Sequence, residues 1–232
     1  MYLFTNFDSV IFLTSVLAIV PLARIMGYTT KEISLQTNPT VSGLFSATFG
    51  NAIELIIAIL ALNAGLLQVV QASIIGSIIG NILFLVGLSI FTGGLRYKIQ
   101  RFNNQTIAVS STMLIIVVAG LAIPSMYDIV TPDNPQISLL SSAVAVVMAF
   151  IYIAGLIFSL RTHKDLFDAS DEIKATQERP TMNRRLAALI LFLTIVVVTF
   201  ESEILVGTIE HAAVAIGLSQ AFIGLVIIAI IT

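Results

Sequence analysis

The chain has 232 residues, 57% of them hydrophobic, and only 10% are Asp, Glu, Lys or Arg, against ~25% in an ordinary soluble domain. With a mean hydropathy of +1.03 it lacks the charge to cover a water-facing surface, so soluble enzyme folds are excluded and an all-α, polytopic transmembrane protein is implied. Its 11 basic and 13 acidic residues leave no electrostatic footprint for nucleic acid, and the absence of Cys excludes disulfides, thiolate metal sites and Cys nucleophiles.

A helix needs ~20 apolar residues to cross the ~30 Å hydrocarbon core. Such runs lie at about 8–26, 41–67, 72–92, 105–124, 137–160 and 185–206, with a seventh starting near 218. They are continuously apolar, which excludes barrel strands. The first starts at Asp8 without a basic leader, so it reads as a span and not as a signal peptide.

The connecting segments sort by charge. Arg24 and Lys31 follow span one. Arg96, Lys98 and Arg101 follow span three. Arg161, Lys164, Lys174, Arg179, Arg184 and Arg185 lie between spans five and six. With seven spans all 11 basic residues fall on one side, while Asp128, Asp133, Glu210 and His211 fall on the other. The positive-inside rule then puts the N-terminus outside and the 161–184 segment in the cytoplasm. Tyr2, Tyr28, Tyr97 and Tyr127 fall at interfaces, as an aromatic belt places them.

Span one contains Phe12-Leu13-Thr14, and span six contains Phe192-Leu193-Thr194, an offset of 180 that also pairs Gly27 with Gly207. Span six is five spans on from span one, an odd step, so the second copy runs the opposite way. That pattern predicts an inverted-topology repeat, against chance likeness of two apolar helices. On this reading the second repeat has barely begun when the chain stops within a helix at Thr232.

One acidic residue lies deep in an apolar run: Glu54, in span two. A carboxylate at that depth lines a cavity or pairs with an ion; the alternative is a protonated glutamate bonded to a neighbouring helix. Gly50 and Asn51 precede it by four and three residues, on the same helix face. The run at 41–67 makes ~40 Å of helix, so it tilts or breaks near Gly50. A break frees backbone carbonyls for a cation. In span three Ser73, Gly76, Ser77, Gly80 and Asn81 follow helical spacing. Their small side chains let a second helix approach, and the polar ones can share a cavity with Glu54.

Asp165, Asp168 and Glu172, with Asp171 beside them, form an acidic face if that segment is helical, or a solvated loop if it is not. Glu201, Glu203 and Glu210 lie toward the outer end of span six, as a cation entrance or as wet interface carboxylates. Both His163 and His211 are expected in loops, and no paired-Asp motif lies within a span, which argues against an intramembrane enzyme.

Gly50-Asn51-Ala52-Ile53-Glu54-Leu55-Ile56, preceded by Ala47-Thr48-Phe49, resembles the first signature of the Ca2+/H+ exchanger (CAX) branch of the cation/Ca2+ exchanger superfamily. Ala72-Ser73-Ile74-Ile75-Gly76-Ser77-Ile78-Ile79-Gly80-Asn81, Gly93-Gly94-Leu95-Arg96 and Gln100-Arg101-Phe102-Asn103 extend the likeness. It resumes at Ser202-Glu203-Ile204-Leu205-Val206 and Phe222-Ile223-Gly224-Leu225. The resemblance implies two five-helix inverted repeats joined by a cytoplasmic acidic linker. Residues 1–160 would be the first repeat, 161–184 the linker with Asp165, Asp168, Asp171 and Glu172 as a regulatory segment, and 185–232 the start of the second repeat.

It further implies that Glu54 binds Ca2+ with a second glutamate and with carbonyls at the Gly50-Asn51 break. Ser73, Ser77 and Asn81 would line the transport cavity. Glu203 and Glu210 match acidic positions on the gating helix. The usual Glu-Glu pair after span one reads Lys31-Glu32, which leaves Glu32 as the remaining entrance carboxylate. The second Gly-Asn signature is absent, since the chain ends at Thr232 just where that signature is expected to start. The extra N-terminal helix of many eukaryotic members is also absent, which suits a prokaryotic or core-only form.

The expected activity is exchange of Ca2+ for H+, the two ions competing for the same carboxylates, with no organic cofactor. Bacterial or archaeal plasma membrane is the expected location, or a vacuolar or organellar membrane in a eukaryote. A Na+/Ca2+ or other cation exchanger, or an inactive half-carrier with a structural role, are the alternatives. The strong Lys/Arg bias fixes one orientation, so an oligomer of this chain would hold its copies parallel. The chain alone is therefore expected to be inactive without a C-terminal repeat.

Overall fold

The computed structural model describes residues 2–100, 104–132, 134–162 and 179–232. All its regular elements among these are helical. They form two compact units, one of residues 1–100 with 179–232, the other of residues 101–178.

The first unit begins with α1 (Tyr2–Ser34). Next come α2 (Pro39–Phe49) and α3 (Ala52–Asn63), bent by 40° at the residues between them. Asn38 caps α2 by accepting the Val41 N–H, and Pro39 takes the first helical position, where a missing N–H costs nothing. A turn then leads to α4 (Leu67–Ile79), a π-helical turn (Gly80–Leu85) and α5 (Val86–Arg96). These three make one continuous span, Leu67–Arg96.

Two boundaries differ from the hydropathy reading. Span two ends at Asn63 and span three starts at Leu67, not at 67 and 72. The reason is Gly65, which adopts φ 78°. It reverses the chain after α3 with the Leu66 N–H bonded to the Ala61 carbonyl. Gln68 and Gln71, which disguised the start of the next span, are exposed in its first turns.

Span six also runs further than its apolar stretch. As α8 (Arg184–Ile216) it ends where Gly217 turns left-handed at φ 75°. His211 is therefore on a helix and not in a loop. The last element, α9 (Gln220–Ile231), is capped by Ser219 and carries a π-helical turn at Ile223–Ile228.

α1 and α8 form the core of this unit. They run antiparallel: His211 Nδ1 lies 3.8 Å from Asp8 Oδ2 at one end, and Glu32 bonds to Thr181 at the other. Buried positions recur every seven residues, Phe12, Ile19, Met26 and Ile33 on α1 and Leu191, Val198, Leu205 and Ala212 on α8. A seven-residue period keeps one seam facing its partner along the whole length. Ile53, Ile57 and Ala61 of α3 join the same core.

This pair carries the inverted repeat, but in a register one residue away from the sequence match. At an offset of 179 the buried positions coincide: Phe12 with Leu191, Ser15 with Thr194, Ile19 with Val198, Met26 with Leu205, Thr29 with Thr208. At 180, Phe12 (0% exposed) meets Phe192 (62% exposed). One residue turns a helix by about 100°, so the Phe-Leu-Thr identity does not mark equivalent environments.

The second unit holds α6 (Asn104–Val130) and α7 (Gln136–Ile157), followed by a π-helical turn at Phe158–Thr162. Met148 packs against Gly120 and Met113 against Gly155, which makes the two helices antiparallel. Asn134 Nδ2 donates to the Tyr127 hydroxyl across their turn.

By length and composition, five single helices of the described residues can cross a membrane, and the bent pair α2–α3 makes a sixth span. The chain is a multi-pass membrane protein.

Candidate functional site

The bend between α2 and α3 results from an interrupted hydrogen-bond ladder. The Gly50 N–H still reaches the Ser46 carbonyl, and the Leu55 N–H reaches that of Asn51. Between them, the Asn51 N–H makes no bond to the Ala47 carbonyl, and the Glu54 N–H makes none to that of Gly50. A β-carbon on Gly50 would stand 2.5 Å from the Ser46 carbonyl oxygen, so this turn tolerates only glycine without shifting. Asn51 leaves helical geometry at φ −117°, ψ 15° and donates its Nδ2 to the Ala47 carbonyl at 3.1 Å. That side-chain bond satisfies one carbonyl that the break exposes and leaves the amide oxygen free to accept.

Glu54 sits in the first turn of α3. The positive end of a helix dipole favours a carboxylate there. Its Oε2 is buried and has no hydrogen-bond partner. A buried carboxylate oxygen without a donor is costly, and the carboxylate also has the Thr232 side chain, just past α9, beside it.

Glu54 opens on a cavity of about 210 Å3. Asn51 and Glu54 line it from the broken span, Ser73, Ile74, Ser77, Ile78 and Asn81 from the next, and Ile228 from α9. Five residues singled out in the sequence are thus brought together: Glu54, Asn51, Ser73, Ser77 and Asn81. Gly50 does not line the cavity; it shapes the break. The donor set is one carboxylate, two amides and two hydroxyls, the oxygen chemistry of a hard cation. The described residues contain no group of three or more His, Cys, Asp or Glu placed to hold a metal ion. Glu54 is the one acidic residue among those that line the cavity.

Asn81 lies within the π-helical turn Gly80–Leu85. Such a turn re-aims the residues that follow it relative to the preceding helix. Sequence spacing assumed a plain α-helix through this point. Ile74, Ile78 and Ile228 were missed as cavity walls because an apolar residue in an apolar run carries no signal.

The remaining candidates lie elsewhere. Glu203 and Glu210 are exposed on α8, seven residues apart, and Gln220 Nε2 donates to Glu210 Oε1 at 3.3 Å. Neither lines the Glu54 cavity. Glu32, 3% exposed, binds the chain just before α8. Asp165, Asp168, Asp171 and Glu172, like His163, lie outside the described residues. A larger cavity, about 400 Å3, lies between α6 and α7, lined mainly by apolar side chains such as Met113 and Met148. It has no carboxylate.

An antiparallel helix pair beside a broken span, with a carboxylate at the break, places the chain among multi-pass helical membrane proteins built on an inverted repeat. The chain belongs to the sodium/calcium exchanger protein family, which matches residues 8–161.

It is 36% identical to the Ca2+/H+ antiporter ChaA of Bacillus subtilis, over 97% of this chain and 64% of that protein. It is 37% identical to a Ca2+/H+ antiporter of Synechocystis, again over 97% and 64%. With the vacuolar calcium ion transporter of Schizosaccharomyces pombe it shares 33% identity, over 95% of this chain and 55% of that one. The solved structure of native YfkE superposes with a TM-score of 0.78 at 32% identity, covering 97% of this chain and 62% of its own. The chain spans less than two thirds of the length of these relatives.

Proposed function

We propose that this chain carries the first half of a Ca2+/H+ antiport site, with Glu54 as the obligatory ligand. The observation that carries the reading is the unpartnered, buried Oε2 of Glu54 in a cavity whose other polar groups are amides and hydroxyls. Ca2+ prefers six to eight oxygens with negative charge among them. Asn51, Asn81, Ser73 and Ser77 supply neutral oxygens, and carbonyls freed at the break add more. One carboxylate does not neutralise a divalent ion, so a second acidic ligand comes from outside the described residues. Ca2+ and protons compete for these carboxylates, and a bare charged site is costly to carry across the membrane. The carrier therefore crosses loaded with one ion or the other. The naming of relatives as Ca2+/H+ antiporters supports H+ as the counter-ion over Na+. In this reading the ends of α1 and α8 at Glu32 and Thr181 face the cytoplasm, Glu203 and Glu210 attract cations at the outer face, and the acidic segment 165–172 regulates from inside.

The test is Ca2+ flux in inverted vesicles carrying the full-length protein, driven by a pH gradient or by a Na+ gradient. Flux that follows the pH gradient and is abolished by Glu54→Gln supports the proposal. Unchanged exchange in Glu54→Gln, or flux driven only by Na+, overturns it.

A further inference from the structure

Tyr28 and Glu32 in the last turns of α1, with Gln36 in the turn that follows it, hold Thr181 and Met182 just before α8. The Glu32 carboxylate accepts three hydrogen bonds. The Thr181 N–H donates to Oε2 at 2.8 Å, the Met182 N–H to the same oxygen at 3.2 Å, and the Thr181 hydroxyl to Oε1 at 2.9 Å. Gln36 Nε2 donates to the Met182 carbonyl at 3.0 Å and to the Glu32 carbonyl at 2.8 Å. The Tyr28 hydroxyl bonds to that of Thr181. Spacing of four residues puts Tyr28 and Glu32 on one stripe of the helix, and the turn after Ser34 brings Gln36 to the same place.

A carboxylate at an ion entrance has its oxygens turned to water. Glu32 has both oxygens bonded to protein, and its side chain is buried. It does not line the Glu54 cavity. Backbone N–H groups donating to a carboxylate are among the stronger hydrogen bonds of a protein. Here they fix a loop to the end of a helix, as an N-cap residue does, but across 149 residues of chain.

We propose that Glu32 is a positioning residue: it clamps Thr181 and Met182 onto α1 and so sets the phase in which α8 starts along its partner. Asn183 then caps α8 from this fixed point, accepting the Arg185 N–H at 2.9 Å. The seven-residue seam between α1 and α8 propagates that phase along both helices. The clamp needs acceptor oxygens in the right place and not a negative charge. This separates it from an entrance carboxylate.

The experiment compares Glu32→Ala, Glu32→Gln and Thr181→Val in the full-length protein by amide hydrogen exchange at residues 181–182 and by Ca2+ flux. A carboxamide keeps one oxygen for the two N–H donors and offers its NH2 to the Thr181 hydroxyl. The clamp predicts at least tenfold faster exchange at Thr181 and Met182 in Glu32→Ala, and exchange within about threefold of the unmodified protein in Glu32→Gln. Thr181→Val, which keeps the backbone bonds, falls between them.

The flux readout rests on the antiport reading. There Glu32→Ala lowers turnover with the KM for Ca2+ unchanged, and Glu32→Gln retains most of the turnover. A KM raised equally in Glu32→Ala and Glu32→Gln, or exchange in Glu32→Ala that matches the unmodified protein, overturns the clamp. If Glu32→Ala does not insert, Glu32→Gln decides alone: rapid exchange at Thr181 and Met182 sinks the proposal, and retained protection supports it. Should the unmodified protein carry no Ca2+, the exchange data still decide the clamp, and only the transport reading falls.

Discussion

The backbone carbonyl oxygen of Leu225 occupies the place where a β-carbon on Gly76 would stand. Gly224 answers from the other helix, where an added β-carbon would come within 2.6 Å of the Val69 carbonyl oxygen and 3.0 Å of the Ala72 β-carbon. α4 and α9 thus touch backbone to backbone beside Ser73 and Ser77. Close approach through small residues is how helices associate where lipid supplies no hydrophobic drive.

Gly76→Ala forces that crossing apart, because backbone has no alternative rotamer. It destabilises the protein by about 1–3 kcal/mol, measured by thermal unfolding in detergent. Gly207→Ala is the control. Nothing lies within 4 Å of its added methyl group, and the gain in helix propensity makes it neutral or stabilising by up to about 1 kcal/mol.

The 179-residue register predicts unequal costs at two phenylalanines that the sequence match pairs. Phe12 is fully buried in the seam, and Phe192 faces outward. Phe12→Ala costs about 3–5 kcal/mol. Phe192→Ala stays within about 0.5 kcal/mol. Equal losses in the same unfolding assay would restore the 180 register.

Asn81 contributes one neutral oxygen to the cavity, and Asn81→Ala removes it while leaving Glu54 in place. The expected effect is a rise in the KM for Ca2+ of about tenfold, equivalent to ~1.4 kcal/mol, with measurable exchange remaining. Loss as complete as that of Glu54→Gln would give Asn81 a larger part than one ligand atom.

The absence of Cys makes topology directly testable. Val214→Cys, in the last turn of α8 and 80% exposed, is expected to react with a membrane-impermeant maleimide from outside intact cells. Asn183→Cys, before the start of α8, reacts only after the cytoplasmic face is opened. The reverse pattern would invert the orientation drawn from Lys and Arg.

Most of the spans were legible because continuous apolar length is a one-dimensional property. Boundaries failed where polarity and conformation part company: Gln68 and Gln71 are polar yet helical, and Gly65 is one residue within an apolar run yet ends a helix. Five residues of the cavity could be read because a lone carboxylate, two asparagines and two serines stand out against aliphatic neighbours. The isoleucines that face them do not. The partner of Glu32 was not legible at all, since a hydrogen bond across 149 residues leaves no local trace. The one-residue error in the repeat arose because identity of letters was matched, whereas packing repeats the face.

The antiparallel pairing of α1 and α8 has an electrical consequence. Each is 33 residues long, so each is a dipole of ~50 Å with about half a charge at either end. Side by side and opposed, the two cancel. A membrane potential acts on uncompensated charge, at about 2.3 kcal/mol per charge per 100 mV, and finds almost none in the backbone of this pair. What remains for the potential to act on is side-chain charge within the spans, and Glu54 is the carboxylate there with a buried oxygen that has no partner.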